Sequence, residues 1–170
     1  MIDIGLILAR AVFGLLMAAH GAQKLFGWFG GYRITGTGGF LEKLGFRPGR
    51  VFATAVGLSE FGGGLLVALG FLGPIGPALV LAVMIVAAIS VHWRNGLFVM
   101  SNGIEVPLLY AAGMTTLALT GPGGYSLDAL LGLASLWTPA LTWSVLGVGV
   151  LGGVASLAVR QTPAPAPPAS

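Results

Sequence analysis

Five long apolar stretches dominate the chain, at about residues 4–25, 51–72, 75–91, 104–119 and 139–159, each bounded by segments rich in glycine or charge. A helix needs about 20 residues at about 1.5 Å each to cross a hydrocarbon core about 30 Å thick, so each stretch is read as a transmembrane helix. The expected fold is all-α, an integral membrane helical bundle in a single domain over residues 1–160. Pro77 falls in the first turn of the third stretch, where a missing N–H is harmless. The fourth is the shortest and carries Pro107 near its start, which suits a thinned or protein-lined region. The first is read as retained rather than as a cleaved leader: Asp3 stands where a basic n-region belongs, and Arg10 interrupts the apolar run. Two further segments read as interfacial helices. One covers residues 35–46 with Phe40, Leu41 and Leu44 as its apolar side; the other covers residues 127–136, with Ser126 as N-cap and Asp128 in its first turn. Residues 161–170 form a Pro/Ala-rich tail without periodicity, expected to be disordered.

Composition fixes the solvent. Of 170 residues, 56% are hydrophobic and 8% charged, against roughly 25% charged in soluble domains. A nucleic-acid partner is disfavoured by so few cations, and the absence of cysteine excludes disulfides, thiolate metal sites and any dithiol step on this chain alone. No metal site is expected, since the two histidines, His20 and His92, are far apart.

The charges sort by side. Lys24, Arg33, Lys43, Arg47, Arg50, Arg94 and Arg160 fall on one side of a five-span arrangement, whereas the connections at residues 71–76 and 120–138 hold no Lys or Arg. The positive-inside rule then places the N-terminus outside and the C-terminus inside a cell membrane; a four-span arrangement would move Arg160 elsewhere. Trp28 and Trp93 fall at the inner boundary, and Trp137 and Trp143 at the outer one, as aromatic belts do.

Ionisable residues within spans carry most of the functional information, because each costs roughly 2.5–3.5 kcal/mol to insert and needs a partner or water. On the first span Arg10, Met17 and Lys24 are spaced by seven, and Phe13, Gly14, His20 and Gly21 fall on the same broad stripe; on the second, Ala53, Gly57, Glu60, Gly64 and Ala68 form a small-residue stripe around one acid. Counting from Arg50 puts Glu60 about ten residues deep, roughly 15 Å, within reach of Arg10 or, less easily, His20, and a structural ion pair with Arg10 is the preferred assignment. At the inner boundary, His20, Lys24, His92, Arg94, Asn95, Asn102 and Glu105 make a polar layer. Such a layer, extended by Glu60 and Tyr110, is the candidate ligand site: His or Lys hydrogen-bonds a quinone carbonyl and a carboxylate handles protons. Each residue also has a packing reading. Asn102 and Glu105 fit a capping box, Lys24 and Arg94 fit snorkelling to head groups, and the 29 glycines fit close helix contact and turns.

An ordered series of motifs resembles the DoxX family of small membrane proteins: His20-Gly-Ala-Gln-Lys-Leu-Phe-Gly-Trp-Phe-Gly-Gly31, Glu60-Phe-Gly-Gly-Gly-Leu-Leu-Val-Ala-Leu-Gly70, Asn102-Gly-Ile-Glu-Val-Pro-Leu-Leu-Tyr110 and Leu119-Thr-Gly-Pro-Gly-Gly-Tyr-Ser-Leu-Asp128. The resemblance implies a four-helix membrane core, to which this chain adds a fifth, C-terminal span. It is also similar to the membrane subunit of thiosulfate:quinone oxidoreductase, and relatives are linked to complexes handling oxidative stress and thiols. What this implies is a redox-associated membrane subunit, at most a cysteine-free part of a membrane oxidoreductase. A quinone is the implied ligand, with the redox centre on a soluble redox or sulfur-handling partner. The contrasting reading is a non-enzymatic scaffold or small-solute permease, with lipid and a second copy of the chain as partners.

Overall fold

The computed structural model describes residues 1–161; the expectation of a disordered tail beyond them lies outside the described residues. The chain runs through α1 (Ile2–Leu25), α2 (Arg33–Lys43), α3 (Gly49–Leu69), α4 (Ile75–Ala87), α5 (Glu105–Thr120), the single turn α6 (Leu127–Leu130) and α7 (Pro139–Ala158), with no strand among the described residues. Beyond Ala87, α4 continues as a π segment over Ala88–His92 and a 3₁₀ turn over Trp93–Asn95. Four helices, α1, α3, α4 with this continuation, and α7, are long and apolar enough to cross a membrane. The 16-residue α5 completes the bundle; it spans only roughly 24 Å.

Large apolar side chains cover the outside. Leu8, Val148 and Leu151 are each more than 60% exposed, an arrangement stable only where the surroundings are hydrocarbon. The interior is filled at mid-height by Met17, Val80 and Met114, all 1% exposed or less. Polar groups are left to the two ends.

The tightest seam joins α1 to α3. Gly14 lies against Ala68 and Gly64, Gly64 against Ala18, and Gly21 against Phe61, so the backbones touch directly. This is what the two small-residue stripes encode, since van der Waals contact rather than a hydrophobic gradient holds helices together in lipid. A Cβ on Gly14 would sit 2.5 Å from the Ala68 nitrogen and 2.6 Å from the Gly64 oxygen. Gly14→Ala is therefore expected to cost about 1–3 kcal/mol as the helices part. Gly62→Ala, which meets nothing within 4 Å, should change stability by no more than about 0.5 kcal/mol in the same unfolding titration.

Two expected elements differ in form. The second span stops at Leu69 rather than Leu72, because Gly70 takes a left-handed conformation (φ 62°) and Phe71 N–H bonds back to the Leu66 carbonyl at 2.9 Å, the closure of a Schellman motif. The outer interfacial segment is not one helix. It breaks after α6 at Gly132 (φ 70°) and resumes as a 3₁₀ turn at Ala134–Leu136. The inner interfacial helix is present as α2, with Leu41 buried as expected, but Phe40 is 49% exposed and Phe46 packs in its stead against Leu41 and Ala53.

At the basic end, Arg160 after α7 donates from Nε to the Leu44 carbonyl after α2, and Gln161 N–H bonds the Gly45 carbonyl at 2.8 Å.

Candidate functional site

Two polar centres lie at opposite ends of the bundle. At the basic end, the Lys24 ammonium on the last turn of α1 donates to Glu60 Oε2 on α3 at 2.5 Å. The acid side chain is 5% exposed and the lysine 27%, so the pair is sunk from the carboxylate side and reachable from the ammonium side. Ammonium against carboxylate is the short, charge-assisted kind of hydrogen bond. Beside it, under α2, opens a cavity of about 620 Å³ lined by Gln23, Lys24, Tyr32, Phe40 and Lys43.

Lys24, and not Arg10, is therefore the partner of Glu60. A depth counted from Arg50 places Glu60 too far along, because α3 starts beyond the end of α1. Gly57 faces Leu25, and Gly21 faces Phe61, so α1 ends level with the middle of α3. The first two turns of α3 extend past it, beneath α2. Glu60 is thus about one turn from the end of α1, while Arg10 lies about twelve residues further along α1, roughly 18 Å away.

Of the remaining expected site residues, His20 and Tyr110 lie within reach of the Glu60 charge without bonding it, whereas His92 and Glu105 do not join the pair. His92 and Glu105 are occupied within the loop joining α4 to α5. His92 Nδ1 lies 2.8 Å from the Asn102 carbonyl, and since a carbonyl only accepts, this nitrogen carries the proton. Asn95 Nδ2 donates to the same carbonyl at 3.2 Å. Glu105 Oε2 accepts from Val99 N–H at 2.7 Å. The capping-box reading of Asn102 and Glu105 is corrected by these contacts: Ile104 is the N-cap of α5 and makes no side-chain cap, while Asn102 adopts φ 60° and serves through its backbone. Tyr110 is buried in the core with its ring edge-on to Phe13, 5.6 Å between centroids. His20 is exposed, one turn before Lys24.

The other centre, at the N-terminal end, was only half visible in the sequence. Arg10 is 3% exposed, and its guanidinium donates from Nη1 to the Pro122 carbonyl at 2.6 Å and from Nη2 to the Tyr125 carbonyl. Asp128, 0% exposed, accepts from Leu72 N–H at 2.9 Å, Gly73 N–H at 2.7 Å and Trp137 Nε1 at 2.7 Å. Asp3 accepts from Gly124 N–H at 2.7 Å. Ser126 caps α6 as expected, its hydroxyl oxygen accepting from Ala129 N–H at 3.1 Å. Asp128 does more than favour that first turn: it ties the α3–α4 turn to the segment before α7. The available signal was an acid beside a tryptophan in a stretch free of lysine and arginine. Groups of His, Asp and Glu suited to a metal ion are absent among the described residues.

A family model, DoxX, matches residues 5–93, which takes in α1 to α4 and the Lys24–Glu60 pair. The chain is 32% identical over 134 residues to the inner membrane protein YqjF of Escherichia coli (strain K12), covering 76% of this chain and 93% of that protein. No solved structure matches. With the family model covering half of the chain, that relative aligned over nearly its full length, and four helices long and apolar enough to cross a membrane, the chain belongs to the DoxX family of multi-pass membrane proteins.

Proposed function

We propose that the protein is a redox-associated subunit of the cell membrane, whose basic end holds a quinone head group and docks a soluble partner carrying the redox centre. The observation that carries this reading is the Lys24–Glu60 pair at the edge of the cavity under α2. The residues fit such a group. Lys24 spends one of three N–H donors on Glu60 and has two for a carbonyl oxygen. Glu60 keeps that ammonium charged and in place. Tyr32 and Phe40 supply aromatic surface for a ring, and Lys43 closes the rim. A bound quinone supplies two-electron chemistry that this chain lacks; the chain's own part is to orient the carbonyl and to furnish a hydrogen-bonded proton at Lys24 Nζ. Orientation follows from the cations at this end, which the positive-inside rule places in the cytoplasm, with the N-terminus outside. The Escherichia coli relative, named an inner membrane protein, supports the same membrane. Among the described residues, a permease path finds no support, because Met17, Val80 and Met114 fill the centre between the two polar ends.

Protein purified in mild detergent is expected to retain quinone on lipid extraction and to gain thermal stability from decylubiquinone. Lys24→Met should abolish that gain, and His92→Ala should leave it intact. No retained quinone and no stabilisation in the wild type would sink the reading; flux of small solutes in proteoliposomes, lost on Glu60→Gln, would replace it with transport.

A further inference from the structure

The second cavity lies at the N-terminal end, about 340 Å³ in volume, walled by Arg10, Ala118, Trp137, Thr142 and Trp143. Three features give it chemistry. Arg10 is 3% exposed with two of its nitrogens bound to loop carbonyls, yet Nε has no hydrogen-bond partner among the described residues. A buried donor left without an acceptor costs about 1–3 kcal/mol, so the site favours whatever brings one. Secondly, the cavity reaches the bundle surface between α5 and α7, where Leu119 is 48% and Trp143 60% exposed. That flank faces lipid, and the cavity sits where helices end and tryptophans gather, at the level of head groups. Thirdly, two carboxylates already stand at this end: Asp128 holds the α3–α4 turn, and Asp3 binds Gly124 N–H between the Pro122 and Tyr125 carbonyls that accept from Arg10. A further anion would be repelled by two carboxylates; a neutral acceptor would not.

We infer that this cavity is a binding site for a glycerolipid, entered sideways from the bilayer, whose neutral ester carbonyl accepts from Arg10 while its glycerol backbone and upper chain lie against Ala118, Trp137 and Trp143. Thr142, 5% exposed on the wall, offers a hydroxyl to the same polar portion. The site is independent of Lys24 and Glu60, at the other end of the bundle.

The test uses full-length protein in detergent micelles with Trp28, Trp93 and Trp143 changed to Phe, so that Trp137 alone reports. Dioctanoylglycerol is expected to change Trp137 emission saturably, and the dioctyl diether of glycerol, which has the same chains and no carbonyl, to bind at least tenfold more weakly, about 1.4 kcal/mol. Both ligands are compared in the same protein, so the Trp143→Phe change in the wall is common to the two measurements. Ala118→Leu, which fills the cavity, should remove the response in protein whose helicity and melting are preserved, and His92→Ala, at the other end of the bundle, should leave it unchanged. Equal binding of ester and ether, tighter binding of dioctanoyl phosphatidic acid than of dioctanoylglycerol, or a saturable Trp137 response to decylubiquinone with none to dioctanoylglycerol would each overturn the assignment. Failure here leaves the basal-end quinone reading standing, because that reading is tested through Lys24.

Discussion

Asp128→Ala is expected to destabilise the protein by about 3–5 kcal/mol, the cost of removing one member of a buried charged network. The carboxylate is fully buried and serves three donors, two backbone N–H groups from the α3–α4 turn and the Trp137 indole. Alanine leaves all three without an acceptor, and each orphaned donor carries its own desolvation penalty. The turn is also strained where the carboxylate holds it: Gly70, Leu72 and Gly73 all have positive φ, and for leucine that conformation costs roughly 1–2 kcal/mol. Asp128→Asn keeps one carbonyl acceptor but turns an amide donor toward other donors, and should fall between, near about 2 kcal/mol. Trp137→Phe removes a single donor and should cost about 1 kcal/mol. Unfolding by sodium dodecyl sulfate titration, followed by circular dichroism, gives the three values. An alanine variant within 1 kcal/mol of wild type would show that the turn is held by something other than this carboxylate.

Lys24→Met is expected to cost about 3–5 kcal/mol, and Glu60→Leu distinctly less, although both break the same ion pair. The asymmetry follows from burial, since Glu60 is 5% and Lys24 27% exposed. Losing the lysine strands a carboxylate inside the helix contact. Losing the acid leaves an ammonium on a flexible stem that swings out to head groups. The double variant Lys24→Met/Glu60→Leu should recover most of the loss, as apolar replacements of buried pairs do, while still failing to bind decylubiquinone. That combination separates a ligand role from a purely structural one. Equal costs for the two single variants would mean that the pair is not buried in the order described.

The elements were legible because lipid imposes a simple code. A spanning helix must be long, apolar and internally hydrogen-bonded, and all five helices predicted from apolar runs are present, with α1 and α3 joined along the very glycines that made their stripes. The sorting of lysine and arginine by side was likewise readable, and the contact of Arg160 with Leu44 agrees with it. Legibility ended at partnership. Arg10 and Glu60 each announced a need for a partner, since a charge within a span cannot stand alone, but the partner depends on how far one helix slides along another. Nothing in a linear count reveals that α3 overshoots α1 beneath α2. His92 and Glu105 looked like members of a site for the same reason; only the path of the loop between α4 and α5 shows them bonded within it.

The sequence by itself determined the solvent, the helices, the faces on which small and charged residues fall, and the family. Tertiary structure alone decided that Lys24 meets Glu60, that Arg10 turns to the carbonyls of Pro122 and Tyr125, and that Asp128 binds the turn at Leu72 and Gly73. Periodicity and hydropathy are properties of one helix in one solvent, whereas a hydrogen bond across a bundle depends on the axial offset between helices, fixed to an ångström by glycine contacts far along the chain.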